Sequence, residues 1–146
     1  MSPPHDGLEP RKLGETCTAG QRPASSVEAL NTTIPIWAPE GVPLKGAWLC
    51  GNLPILWYGD VEVWYDDDWA KSVPADYFAE QVARVGGRIQ TINGRMAFVH
   101  PAAAGDSRSA VQILAGKYSV AVVGDVGVDR VLEVMSKIHI PEAIGN

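Results

Sequence analysis

The sequence predicts an α+β domain: an antiparallel sheet built from β-hairpins and covered on one face by two amphipathic helices. Three observations carry that expectation. Apolar residues alternate over short runs, two-residue turn signals separate those runs, and two stretches show helical rather than strand periodicity. The 146 residues, 46% hydrophobic and 20% charged, suit one compact domain able to bury a core without metal.

Residues 1–31 hold Pro3, Pro4, Pro10 and Pro23 among polar residues with no period, the composition of an irregular N-terminal tail. The domain is therefore set at 32–146. Thr33 to Pro39 and Gly46 to Cys50 read as short extended pieces, with Pro35 and Pro39 confining the first to an edge or a strand end.

Three hairpins follow. Gly59-Asp60 suits a type II′ turn, which pairs Leu56 with Val63 and Tyr58 with Val61. Tyr58, Val61, Val63 and Tyr65 then belong to the core, and the opposite face carries Ile55, Trp57, Glu62 and Trp64. Asn93-Gly94 is the strongest hairpin signal, and its register places Ile89, Thr91, Met96 and Phe98 on one face, taken as the core face. Arg88, Gln90, Ile92, Arg95, Ala97 and Val99 lie on the other. In the third hairpin Ala115-Gly116 pairs Ile113 with Tyr118, Val111 with Val120 and Ser109 with Val122. Ala110, Gln112, Ser119 and Ala121 then form a face that water tolerates.

A first helix is expected from Ser72, with Pro74 in its first turn, Phe78, Val82 and Val85 on one face, and a stop at Gly86-Gly87. A second runs from about Gly127 to Ile138, carrying Val128, Val131, Leu132, Met135 and Ile138 at helical spacing. Asp125 is its candidate cap, and Lys137 lies in its last turn, where the helix dipole favours a cation.

The chemistry concentrates in one place. All five tryptophans fall between Trp37 and Trp69, and from Trp57 to Trp69 aromatics alternate with carboxylates. Trp57, Glu62 and Trp64 share a face and form a candidate binding platform for a protein or small-molecule ligand. The competing reading is a second small core, since large aromatics usually end up buried. Asp66, Asp68 and Trp69 extend the candidate site along its edge. Asp66 to Asp68 offer oxygen ligands to a hard cation, but the spacing does not match an EF-hand loop, and a solvated turn or helix-entry cluster is the preferred reading. No metal or cofactor is expected.

The inventory for catalysis is thin. No HExxH, GxSxG, CxxC or phosphate loop occurs, and no catalytic residue is assigned. The best arrangement available to a small hydrolase or lyase is His100 as base and Ser107 as nucleophile, with Asp106 or Asp68 as orienter. Gly116-Lys117 and Gly124-Asp125 read as turns rather than nucleotide cradles.

A formal charge of −5 with scattered basic residues argues against a nucleic-acid partner. No apolar run reaches the roughly 20 residues that span a bilayer, and residues 1–31 are too polar for a signal peptide. The reading is a soluble protein, or one whose targeting segment has been removed. Cys17 and Cys50 would close a loop of about 33 residues, worth roughly 3–4 kcal/mol in the chain-entropy model. Such a bond points to an oxidising compartment, and two free thiols point to the cytoplasm.

Asn93 to Val99, the strand Lys117 to Gly124 and the helix ending Val134-Met135-Ser136-Lys137-Ile138 together resemble the C-terminal part of the small extracytoplasmic α+β domains attached to bacterial anti-sigma factors and lipoproteins. The likeness covers residues 88–140 and implies an antiparallel sheet with helices, an extracytoplasmic or secreted location, and a sensing or scaffolding role without chemistry. The chain departs from that pattern in having no anti-sigma helical domain, and the aromatic-acidic hairpin is not part of it. The functional expectation is a non-enzymatic bacterial binding module. A small hydrolase and a self-associating structural protein, with the tryptophan face as a homo-oligomer interface, are the alternatives.

Overall fold

A computed structural model describes residues 21–24, 26–27, 32–50, 53–66, 87–101 and 108–141. Eight strands form one antiparallel sheet: β1 (Gln21–Ala24), β2 (Gly46–Cys50), β3 (Leu53–Trp57), β4 (Glu62–Asp66), β5 (Arg88–Ile92), β6 (Arg95–His100), β7 (Ser109–Ala115) and β8 (Tyr118–Gly124). Their order across the sheet is β1-β2-β3-β4-β8-β7-β6-β5. Two antiparallel runs, β1 to β4 and β5 to β8, thus meet where β4 pairs with β8. The helix α1 (Val128–Ser136) follows the last strand. The α+β class holds in this form, and the helix expected from Ser72 lies outside the described residues.

The strand β1 is a departure from the irregular tail. It pairs Pro23 with Trp48 and Ala24 with Ala47, and as an outer strand of the sheet it tolerates a proline that donates no ladder bond. Thr33 to Pro39 is not a strand; it crosses the sheet as irregular chain, with Ile34 buried and the Trp37 carbonyl accepting from the Tyr65 hydroxyl at 2.9 Å. The Trp37 ring meets Tyr118 edge-on with centroids 5.7 Å apart.

The first hairpin has the expected register. Leu56 faces Val63, Trp57 faces Glu62, and the Tyr58 amide donates to the Val61 carbonyl at 2.9 Å. Gly59 sits at φ 100°, which glycine reaches without a Cβ clash. Tyr58, Val61, Val63 and Tyr65 are all buried in the main core. The second hairpin also has the expected register, with Ile89 opposite Phe98 and Thr91 opposite Met96, but its faces are reversed. Ile92, Ala97 and Val99 join the main core, whereas Ile89 is 45% and Met96 53% exposed. Both faces carry apolar residues, and the small Ala97 lies on the face that packs closely; Phe98 is nevertheless buried on the other.

In the third hairpin the turn is Gly116-Lys117, with Gly116 at φ 62°, and Ala115 pairs with Tyr118, Ile113 with Val120 and Val111 with Val122. The slip from the expected pairing is two residues, which leaves each side chain on its expected face because the strand period is two. Ala110, Gln112, Ser119 and Ala121 are buried rather than wetted. The sheet is therefore covered on both faces over its centre.

Helix α1 lies against β7 and β8 and buries Val131, Val134 and Met135, with Ile138 just beyond its end. Each such burial is worth roughly 1.5–3 kcal/mol. Asp125 does not cap it: Gly127 is the N-cap and makes no side-chain bond, while Asp129 supplies the negative charge of the first turn. Lys137 is the C-cap residue rather than part of the last turn. Its carbonyl accepts from the Glu40 amide at 2.9 Å, so the chain crossing the sheet also fastens the helix end.

Candidate functional site

The second face of the sheet is built by alternation around the β3–β4 hairpin. Ile55 on β3 stands opposite Trp64 on β4, and β2 adds Trp48 opposite Ile55. Across β4, β8 places Ala121 beside Trp64 and Val123 beside Glu62, and β7 continues those rows with Gln112 and Ala110. Trp48, Ile55, Trp64, Ala110, Ala121 and Val123 form one apolar cluster with Trp57 packed against it. Three of the five tryptophans thus share this face, while Trp37 packs against the main core.

Glu62 lies within this apolar patch at 0% exposure. Trp64 Nε1 donates to Glu62 Oε1 at 3.2 Å. The other oxygen, Oε2, is buried and has no hydrogen-bond partner among the described residues. A buried, unsatisfied oxygen costs about 1–3 kcal/mol, more if charged. The carboxyl is accordingly pushed up to about 8, chiefly because burial penalises the charged form; the Trp64 hydrogen bond and the positive charge of Arg108 pull the other way. Glu62 is therefore mainly a neutral acid at pH 7.

The platform expectation is met in placement and corrected in exposure. Trp57, Glu62 and Trp64 are brought together on one face, but Trp64 is 6% exposed and Glu62 wholly buried. The second-core reading describes Trp64. Trp57 is half-buried and is the member of the three that reaches the surface; its Nε1 donates to the Gly59 carbonyl at 3.0 Å in an exposed bond. Asp66 is half-buried at the end of β4, on the same face but two rows from Glu62. Asp68 and Trp69 lie outside the described residues, as does Asp67.

His100 ends β6, half-buried, opposite Ala110. It shares a row with Glu62, yet β7 and β8 intervene, a separation of roughly 14 Å at the usual strand spacing. Hydrogen-bond reach between the two is excluded at that separation. Ser107, Asp106 and Asp68, the other members of the catalytic arrangement, lie outside the described residues. Among the described residues no group of three or more His, Cys, Asp and Glu side chains is placed to hold a metal ion, and no helix is long and apolar enough to cross a membrane. The pairing of Cys17 with Cys50 lies outside the described residues.

Sequence reasoning missed Trp48 and Arg108 as neighbours of the site. Trp48 had a legible signal, since Gly46, Trp48 and Cys50 alternate with Ala47 and Leu49. Arg108 had none, because its approach to Glu62 depends on β7 and β4 both pairing with β8. Compared with known proteins, the chain matches no family model, no curated protein and no solved structure.

Proposed function

We propose that this chain is a non-enzymatic binding domain whose ligand is met at the Trp57 end of the second face and held by Glu62. The observation that supports this reading is the unsatisfied Oε2 of a wholly buried glutamate set among indoles. A sheet face that served packing alone would be more stable with an apolar residue there. A buried polar group without a partner calls for a reason, and carboxyls shifted by burial cluster at sites where proteins bind or react. The Trp57, Glu62 and Trp64 group holds one carboxyl and no second acid, base or orienting side chain to work with it, which favours recognition over turnover.

The experiment is a backbone-amide NMR screen of the whole chain against small cationic, neutral and anionic compounds. Binding at this site shifts the resonances of Trp57, Glu62, Trp64 and Val123, and Glu62→Ala removes the shifts. Ligands that cluster elsewhere, or none in any class, would count against the site. The extracytoplasmic setting belongs to the same proposal and is supported by the likeness of residues 88–140 alone. A thiol count on the unfolded, unreduced protein tests it, with no free thiol expected.

A further inference from the structure

Resting on the reading that this site binds a ligand, we infer that the ligand is a tertiary ammonium ion, its one N–H donating to Glu62 Oε2 and its alkyl groups lying against Trp57 and Trp64. Of the two carboxyl oxygens, Oε1 already accepts from Trp64 Nε1, which leaves Oε2 as the oxygen without a partner. The neighbours across the sheet are Trp57 on β3 and Val123 on β8, and behind Val123 stands Ala110. None of these three side chains offers a second acceptor.

A ligand with many polar hydrogens, such as a sugar or a primary ammonium, would find no side-chain acceptor for most of them among these neighbours. A quaternary ammonium has no hydrogen for Oε2. A tertiary ammonium carries one donor and three apolar arms, and its charge is attracted both by indole faces and by a carboxylate. The route in passes Trp57. Its ring is half-buried at the margin of the apolar cluster and the bond that ties it to the Gly59 carbonyl is exposed, so it is the member of the group that a ligand reaches first.

Binding is coupled to a proton. The ammonium keeps its hydrogen, and the proton of the neutral Glu62 carboxyl leaves to solvent, so an ion pair replaces a buried acid. Among the described residues the charged group that acts on Glu62 is Arg108, just before β7, which favours the carboxylate; Asp66 lies farther along β4 and His100 three strands away in the same row, while β2, β3 and β8 contribute Gly46, Trp57 and Val123 to that row. Apparent affinity therefore rises with pH, approaching about tenfold per unit below about pH 8 and levelling above it.

The test is calorimetric titration of the full chain with butyldimethylammonium, butyltrimethylammonium, butylammonium and methyl glucoside at about pH 7, in two buffers of different ionisation enthalpy. Butyldimethylammonium should bind about tenfold or more tightly than the other three, with close to one proton released per site. In Glu62→Gln, whose side chain is neutral and of similar shape, both the preference and the proton release should vanish. Equal or tighter binding of the trimethyl compound, or binding of the glucoside instead, would overturn the tertiary-ammonium assignment while leaving a binding site at Trp57. If no compound heats the cell or perturbs Trp57, the binding reading itself fails.

Discussion

Asn93, in the turn between β5 and β6, donates its side-chain amide to the carbonyls of Ser136 and Ile138 at 2.9 and 3.3 Å, so a hairpin tip closes the C-terminal end of helix α1. The last carbonyls of a helix have no partner within it, and here a distant strand turn supplies one. Asn93 also occupies the left-handed region at φ 52°, which asparagine accepts more readily than other residues with a Cβ. Asn93→Ala should lose both advantages, about 2 kcal/mol in urea unfolding, and Asn93→Gly should lose less because the backbone strain is absent.

The reversed faces of the β5–β6 hairpin make a sharp contrast between neighbours in sequence. Met96→Lys should change stability by no more than about 0.5 kcal/mol, as surface substitutions do, while Ala97→Asp should cost several kcal/mol by burying a charge at a wholly covered position. Thermal unfolding of the two variants separates them.

These outcomes bear on what the sequence could show. The Gly59-Asp60 and Asn93-Gly94 turns were legible with their registers because a two-residue turn with a glycine in a left-handed conformation admits one pairing. The third hairpin slipped because Ala115-Gly116 and Gly116-Lys117 both place Gly116 in the turn. Which face of β5 and β6 is inside was not legible, since Ile89, Met96 and Phe98 compete with Ile92, Ala97 and Val99 and only the packing of the whole sheet decides. The Trp57, Glu62 and Trp64 group was legible through alternation. The burial of Glu62 was not, because it depends on β8 and β7 continuing the sheet beyond β4, a long-range pairing that local alternation does not reveal.

Arg130 on α1 holds the carboxylate of Asp60, in the β3–β4 turn, through Nε at 2.7 Å and Nη2 at 3.3 Å, and also meets Glu133 at 2.9 Å. The Arg130 and Asp60 side chains are 31% and 41% exposed, so the pair is screened by water. A double-mutant cycle with Asp60→Asn and Arg130→Gln should return a coupling of about 0.5–1 kcal/mol that shrinks in molar salt.

The same turn is packed tightly against the end of β8. A Cβ on Gly124 would overlap the Asp60 carbonyl oxygen and lie 2.9 Å from Val61 Cγ1. Both neighbours are fixed by the hairpin, so Gly124→Ala should cost about 2 kcal/mol or more, against near neutrality for Gly127→Ala, where nothing stands in the way. Denaturant midpoints of the two variants measure the difference.

Glu62 gives the protein an uncommon pH dependence. Its folded carboxyl titrates near 8 and an unfolded one near 4.5, so between those values the folded state holds a proton that the unfolded state has lost. Its contribution is therefore complete below about pH 4.5, falls by up to about 1.4 kcal/mol per unit as pH rises through the window, and is lost above about pH 8. Subtracting the Glu62→Gln stability curve from that of the wild type should isolate this slope; parallel curves would contradict it.

Whether Glu62 is a buried acid with one oxygen open to a cationic ligand can be read from its side-chain carboxyl carbon, followed by NMR through a pH titration. The midpoint should lie near 8 in the free protein and lower in saturating butyldimethylammonium. A midpoint near the ordinary 4.5, or one that the ammonium ion leaves unmoved, would contradict that reading.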